Sequence, residues 1–113
     1  MLKITSPHVR HAAPIFAALG DDVRLALVGR LADGVPLSIT RLSDRLPITR
    51  QAVTKHLHIL EEAGLAKSAR SGREQQWLLQ SESLKEAQRY LDAINKQWTN
   101  ALQRLKAFVE EQE

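Results

Sequence analysis

The most regular hydrophobic pattern in the chain lies between Thr49 and Gly64. Val53, Leu57, Leu60 and Gly64 fall at i, i+4, i+7 and i+11, which is one stripe of an α-helix. Thr49 can cap the start, because its hydroxyl can accept a hydrogen bond from an amide of the first turn. Gly64 can end the helix as a C′ residue. The pattern therefore predicts an amphipathic helix.

The other face of this predicted helix is polar and carries no acidic residue. It presents Arg50, Gln51, Thr54, Lys55 and His58. Such a face suits a partner that is negatively charged and rich in hydrogen-bond acceptors, and double-stranded DNA fits best. Taken alone, a polar helix face is as often plain solvated surface. His56, between the polar and apolar faces, is expected to pack or to bond to backbone rather than to read a base.

A shorter amphipathic pattern precedes this helix. Its apolar residues are Ile39, Leu42 and Leu46. Ser38 or Thr40 can cap it, and Pro47 breaks it, because proline disfavours helix at the preceding residue and has no amide to donate. A short helix, a tight break and a polar-faced helix make up the helix-turn-helix layout, predicted here over residues 38–64, whose second helix enters the major groove.

A β-hairpin is predicted directly after this unit, over residues 65–80. Strand-like runs at 65–70 and 73–79 are joined by Ser71-Gly72, a turn dipeptide. A hairpin in this position is a wing, with Trp77 as its core residue. Its basic residues are Lys67, Arg70 and Arg73.

The second helix of this unit, over residues 49–64, is called the reading helix below. Its position beside a basic wing favours contact with DNA over a role as plain solvated surface. The residues expected to contact DNA are Thr49, Arg50, Gln51, Thr54, Lys55, His58, Lys67, Arg70 and Arg73. Arg50 and Gln51 suit guanine and adenine edges in the major groove, with Thr54 and His58 in reach. Lys55 and the wing arginines are expected to hold phosphates.

Two helices are predicted upstream, within residues 8–32, after a loose tail at 1–7. The first has a buried stripe of Val9, Ala12, Ala13, Phe16 and Leu19. Pro14 should make it start near Ala13 or kink there, and Gly20 ends it. Asp21 or Asp22 caps the second helix, which turns Arg24 and Arg30 away from its apolar side. That apolar side consists of Val23, Leu27, Val28 and Leu31.

A long final helix is predicted over residues 83–110. Ser83 and Glu86 have the spacing of a capping box. Apolar residues then recur at spacings of three and four, namely Leu84, Ala87, Leu91, Ile94, Trp98, Ala101, Leu105 and Phe108. A helix about 40 Å long extends beyond so small a domain. We therefore expect this row of apolar residues to pack against a second copy of the chain. The predicted dimer-interface residues are Phe16, Leu91, Ile94, Trp98 and Leu105. Trp98 and Phe108 are better explained as interface filling than as an effector pocket.

Composition narrows the function classes. The chain has 113 residues, of which 43% are hydrophobic and 26% charged, which suits one globular domain. Its net charge of +3 favours a polyanionic partner. With no cysteine, disulfides and thiolate metal sites are excluded. No signal peptide or apolar membrane span is present, so the cytoplasm is expected. No catalytic motif is found, so an enzyme is not expected.

The chain resembles the ArsR/SmtB-type family of winged-helix regulators over nearly its whole length. The run His56–Leu65 resembles the family's His-Leu…Leu…Ala-Gly-Leu sequence, and Gly72-Arg73-Glu74 before Trp77 resembles its wing. Phe16–Asp21, followed by Arg24-Leu25, resembles its Gly-Asp turn and Arg-Leu pair. The resemblance implies a mainly α fold with a small hairpin. It also implies a homodimeric, operator-binding repressor whose first and last helices form the interface.

The chain departs from this family where a metal would bind. The family's metal sensors often carry cysteines where this chain has Ile39–Leu42, and others use Asp and His on the last helix, which here has Asp92 but no histidine. His8 and His11 are a weak pair without a third ligand. We therefore expect no metal and no cofactor. Regulation would then come from a small organic ligand, a partner protein or simple autorepression. The alternative function is a winged-helix protein-interaction module without operator binding.

Overall fold

A computed structural model describes residues 6–112 as five helices and three strands. In chain order these are α1 Pro7–Leu19, α2 Asp22–Leu31, β1 Leu37–Ser38, α3 Ile39–Leu42, α4 Arg50–Glu62, β2 Ala66–Ser71, β3 Glu74–Leu79 and α5 Ser81–Glu111. The strands form one antiparallel sheet in the order β1-β3-β2. The predicted layout of helix, turn, polar-faced helix and hairpin is confirmed. Most of the predicted tail lies outside the described residues, but Ser6 caps α1 and Pro7 begins it.

The core forms around α4. Val53, Leu57 and Leu60 are fully buried, as their spacing predicted. The rest of the cluster comes from the other helices, the sheet and the residue before β2, chiefly Leu27, Leu31, Leu42, Leu65 and Trp77. Because the core closes over one stripe of α4, the opposite side of that helix remains at the surface.

Both ends of α4 follow the local sequence signals. Thr49 Oγ1 accepts a hydrogen bond from the Ala52 amide at 3.1 Å, which confirms the cap. At the other end the Gly64 amide donates to Glu61 and the Leu65 amide donates to Leu60, which is a Schellman arrangement. Gly64 has φ +74°, a conformation in which a side chain would be strained.

Helix α1 begins at Pro7 and continues through Pro14, so the predicted start near Ala13 was wrong. Pro14 is exposed, and its ring therefore displaces no core contact. The predicted stripe was correct in part, because Ala12 is buried and Phe16 and Leu19 pack against the core. Ala13 is exposed, however, and the buried Ile15 and Ala18 were not predicted. The segment is apolar on more than one face, so periodicity alone could not select the face that packs.

Asp21 caps α2 by accepting from the Arg24 amide at 3.0 Å. The sequence predicted that the arginines of α2 turn away from the protein, but both are half-buried and bond to neighbouring helices. Arg30 Nη1 donates to the Leu42 carbonyl at 2.7 Å, and Arg24 Nε donates to the Ala18 carbonyl at 2.6 Å. Each arginine therefore joins α2 to a neighbouring helix, because its long stem lets the charged head reach carbonyls left free at helix ends.

Helix α3 is shorter than predicted. Ser38 caps it, but it ends at Leu42 and does not reach Leu46. The chain turns before Pro47, since Arg45 already has φ +62°. The break between α3 and α4 is thus an extended turn rather than a stop imposed by the proline alone.

The wing contains a strand that the sequence did not reveal. Leu37 of β1 pairs with Trp77, so β3 is the central strand and Trp77 is buried, as predicted for the wing core. The tight turn is Gly72-Arg73 rather than Ser71-Gly72, because Ser71 pairs with Glu74. Gly72 has φ +63°, which the two-residue turn requires.

Helix α5 starts at Ser81, so the predicted capping box at Ser83 was wrong. The Ser83 hydroxyl instead donates to the Ala63 carbonyl at 2.9 Å, which ties α5 to the end of α4. The helix has 31 residues, about 46 Å of length. Ala87 is buried, but between Leu91 and Gln112 every residue except Ala101 is exposed. The molecule measures 70 × 29 × 22 Å as a result.

Candidate nucleic-acid interface

The outer face of α4 is open along its length. Arg50, Gln51, Lys55 and His58 are exposed, and Thr54 is half-buried. The first turn of α4 contains no acidic residue. The partial positive charge at this helix end therefore adds to that of Arg50, and an anion would stabilise both.

Two of the polar residues predicted to contact DNA already make hydrogen bonds to the backbone of α4. Thr49 Oγ1 accepts the cap bond, and Thr54 Oγ1 donates to the Arg50 carbonyl at 2.9 Å. The long side chains of Arg50, Gln51 and Lys55 make no side-chain hydrogen bond or ion pair within the described residues. These three groups can therefore meet a ligand without first breaking a contact.

One flank of α4 is joined to the wing through His58 and Glu61. His58 Nδ1 lies 3.2 Å from Glu61 Oε1, and the imidazole meets the Trp77 ring edge-on at 5.4 Å. Glu61 Oε2 accepts from the Ser68 hydroxyl of β2 at 3.4 Å. His58 is thus exposed but partly engaged, which its position in the sequence did not reveal.

The basic residues of the wing are all exposed but do not share one face. Arg70 is two residues from Ser68, so it leaves β2 on the side that meets α4, whereas Lys67 leaves on the other side. Arg73 sits in the tight turn at the wing tip. The structure therefore brings Arg70 to the side of the reading helix, sets Arg73 at the tip, and separates Lys67 from both.

The other flank of α4 is joined to α1 and α2. His56 Nδ1 lies 3.1 Å from Arg24 Nη1 and 3.8 Å from Asp21 Oδ2. The hydrogen bond from the Arg24 amide is the largest effect and lowers the pKa of the Asp21 carboxyl; desolvation opposes it, and the charge of Arg24 lowers the pKa further. His56 was expected to pack or to bond to backbone; it is half-buried, and its hydrogen bond is with the Arg24 side chain rather than with backbone. No local pattern reveals a contact between residues 32 positions apart.

The predicted interface residues of α5 lie at the surface. The exposed fractions of Leu91, Ile94, Trp98 and Leu105 are 48%, 40%, 63% and 58%. Phe16 is half-buried and meets the Tyr90 ring edge-on at 6.0 Å within the same chain. Leu102, Phe108 and Val109 are exposed as well, and together these residues form an apolar strip along α5.

A groove of about 620 Å³ lies between α1 and α5, lined by His8, His11, Glu86 and Arg89 among others. His11 Nδ1 is 3.7 Å from Glu86 Oε1. Among residues 6–112, no three His, Asp or Glu side chains are grouped so as to hold a metal ion. Within that same range, no helix is both long and apolar enough to cross a bilayer.

Comparison with known proteins agrees with this architecture. Residues 19–69 match the family model of a helix-turn-helix domain. The uncharacterized HTH-type transcriptional regulator YuzN of Bacillus subtilis is 40% identical over 77 residues, which cover 63% of this chain and 84% of YuzN. The HTH-type transcriptional regulator Rv2034 of Mycobacterium tuberculosis is 38% identical, over 75% of this chain and 76% of Rv2034.

A solved structure extends the likeness to the whole fold. The ArsR-like transcriptional regulator from Rhodococcus sp. RHA1 superposes with a TM-score of 0.73 at 34% identity, over 88% of this chain and 92% of that one. A helix-turn-helix with an attached wing and an open basic face is typical of DNA-binding transcriptional regulators, the class to which these relatives belong. Within that class, the chain belongs to the ArsR-type family of winged helix-turn-helix regulators, as its sequence resemblance implied.

Proposed function

We propose that this chain is a homodimeric repressor that binds an inverted-repeat operator and that works as one DNA-binding unit over its whole length. The observation that carries the proposal is the acid-free face of Arg50, Gln51 and Lys55 on the second helix of a helix-turn-helix. These long donors are exposed and uncommitted, which is the state required of side chains that reach into a major groove.

The contacts divide by position on the interface. Gln51 and Arg50 lie in the first turn of α4, the part of a recognition helix that contacts base edges, and we assign them adenine and guanine. Lys55, Arg70 and Arg73 hold phosphates and set the register. Thr54 and His58 lie within reach of the same groove, but both already make contacts within the chain, so we assign them a smaller contribution to DNA binding. Lys67 leaves the wing on the far side and is assigned a flanking phosphate.

The apolar strip on α5 supports the pairing of two copies. Seven large apolar side chains there are at least 40% exposed, which is unusual for a face that meets only water. A second copy of the same strip is the simplest partner, because a twofold axis lets the surface cover itself. Two recognition helices would then meet DNA about 10 bp apart, or a multiple of it.

Repression follows from occupancy, because a dimer seated across a promoter excludes other proteins from it. Since the DNA target lies there, we propose the cytoplasm as the compartment. We further propose that no metal controls binding, because the chain lacks thiolates and His8 and His11 lack a third ligand. Control of DNA binding then comes from a small organic ligand, a partner protein or simple autorepression.

The test separates base reading from charge. Gln51→Ala should relax preference at one base pair per half-site, a loss of about 1–3 kcal/mol of discrimination. Arg73→Ala should weaken binding to all duplexes alike and lower the salt slope by about one. Gln88→Ala and Arg10→Ala, exposed on α5 and α1, are matched controls expected to bind as wild type.

The measurement is a titration of fluorescent duplexes at several salt concentrations. If both variants altered only sequence preference, or if neither altered binding, the division of roles would be wrong. A wild-type protein without salt-dependent DNA affinity would instead favour the protein-interaction module.

A further inference from the structure

Arg24 reaches two other elements with one side chain. Its Nε donates to the Ala18 carbonyl at 2.6 Å and its Nη2 donates to the Ala17 carbonyl at 3.4 Å. Both carbonyls lie in the last turn of α1, where the Gly20 amide donates to the Ala17 carbonyl at 3.3 Å and the Arg24 side chain supplies the donor for the Ala18 carbonyl. A guanidinium is also favourable at this negative end of the helix dipole. The third contact, from Nη1, crosses to His56 of α4.

The contact with His56 is specific in its chemistry. Arginine can only donate, so the bond of 3.1 Å between Arg24 Nη1 and His56 Nδ1 requires that Nδ1 carry no proton. The neutral imidazole then carries its proton on Nε2. The His56 side chain is only 23% exposed, so neither group is free to change partners readily.

This bond and the wing contacts hold α4 from two sides. His56 is fixed toward α1 and α2, whereas Glu61 and His58 are fixed toward β2 and β3. The core stripe sets the depth of α4, but apolar contacts are non-directional and resist rolling of the helix less than hydrogen bonds do. The pair of lateral contacts fixes the roll, and with it the direction in which Gln51 points.

We infer that Arg24 and His56 are positioning residues for base reading, which set the rotation of α4 without touching DNA. The inference rests on the proposed function of α4. Lysine could not replace Arg24, because its single ammonium lacks the fixed fork that reaches α1 and α4 at once. Asparagine could replace His56 in part, because its Oδ1 offers an acceptor near the position of Nδ1.

The experiment compares operator with random DNA in four variants. The operator is a duplex recovered by selection from a random library with wild-type protein. Arg24→Lys and His56→Leu remove the bond, His56→Asn keeps an acceptor, and Arg30→Lys is the control. Arg30 is matched because it also joins α2 to a neighbour through a backbone carbonyl, but its hydrogen bond goes to Leu42 of α3 rather than to α4. Affinities are measured well below each variant's thermal transition.

We expect Arg24→Lys and His56→Leu to lose about tenfold or more in operator affinity, because that is the effect of displacing one base contact. Both variants should bind random duplex within about twofold of wild type. His56→Asn should recover most of the operator affinity, and Arg30→Lys should match wild type. A purely structural role would lower the melting temperature but leave the ratio of operator to random affinity unchanged, and that result would overturn the inference. If His56→Leu does not fold, the ratio of operator to random affinity in Arg24→Lys and His56→Asn still tests the inference.

Failure of the proposed function and failure of the positioning role give different results. A wild-type protein that selects no preferred duplex overturns the proposed function and the inference with it. A wild-type protein with a clear operator, together with an Arg24→Lys variant that keeps it, overturns the inference alone.

Discussion

Replacing Trp98 with alanine should separate two protomers without unfolding either. Trp98 is 63% exposed in the single chain, so its loss removes little from the protomer's own core. A tryptophan presents up to about 250 Å², which leaves roughly 160 Å² for a partner to cover. At about 25 cal/mol per Å² this is about 4 kcal/mol for each protomer.

A twofold interface would contain this side chain twice, for a gross loss of about 8 kcal/mol. Association retains only part of such a sum, because ordering and desolvation oppose it. If half is realised, Trp98→Ala weakens the dimer about 1000-fold. Sedimentation equilibrium over a range of concentrations measures this change, and far-ultraviolet circular dichroism shows whether the helices persist.

Lys96→Ala is the matched control for this prediction. Lys96 is two residues from Trp98, so it lies on the other side of α5, and its loss should leave the dimer unchanged. Operator affinity should fall with Trp98→Ala, because two half-sites are then bound separately. A Trp98→Ala protein as dimeric as wild type would refute this reasoning and move the interface off the strip.

Three further predictions concern stability and control. Leu57→Ala, at a fully buried position of α4, should cost about 2–5 kcal/mol in urea unfolding, and a cost under about 1 kcal/mol would contradict the core described here. Because the Arg24 amide lowers the pKa of Asp21, this carboxylate stabilises the fold above its ordinary pKa of 3.8, and the contribution is lost as the pH falls through the lower folded-state value. In the Asp21→Asn variant, the free energy of unfolding should therefore fall less steeply as the pH drops below 3.8. A pH dependence equal to that of wild type would argue against this role of Asp21. Operator affinity should be the same with chelator and with added zinc, whereas a tenfold change, about 1.4 kcal/mol of coupling, would point to the histidines of α1.

The reading helix could be predicted from sequence because its signals are local. The Thr49 cap, the stripe from Val53 to Leu60 and the Gly64 stop all act within one or two turns. Each of these signals agrees with the tertiary packing of α4, so pattern and structure coincide there.

Elements fixed by distant partners escaped prediction. Strand β1 is two residues long and exists only because Leu37 pairs with Trp77, far along the chain. Ser83 carries a valid local cap signal, but the Ala63 carbonyl competes for its hydroxyl and wins. Pro14 is tolerated because it faces solvent, while its neighbours on α1 are held by the core.

The candidate site was predictable in its residue types more than in its organisation. Arg50, Gln51 and Lys55 could be found from helical periodicity, since a surface face needs no knowledge of the fold. The flanking contacts could not, because Arg24 and His56 meet only once α1, α2 and α4 have packed. The far-side position of Lys67 likewise depends on the strand register rather than on charge.

Selection of bound duplexes from a random library tests the central claim most directly. If two copies pair along α5 and read DNA through α4, the recovered sequences should share an inverted repeat with half-site centres about 10 bp, or a multiple, apart. Binding to that repeat should weaken steeply as salt rises. Recovery of no common sequence, or of a lone half-site bound by a single protomer, would contradict the account.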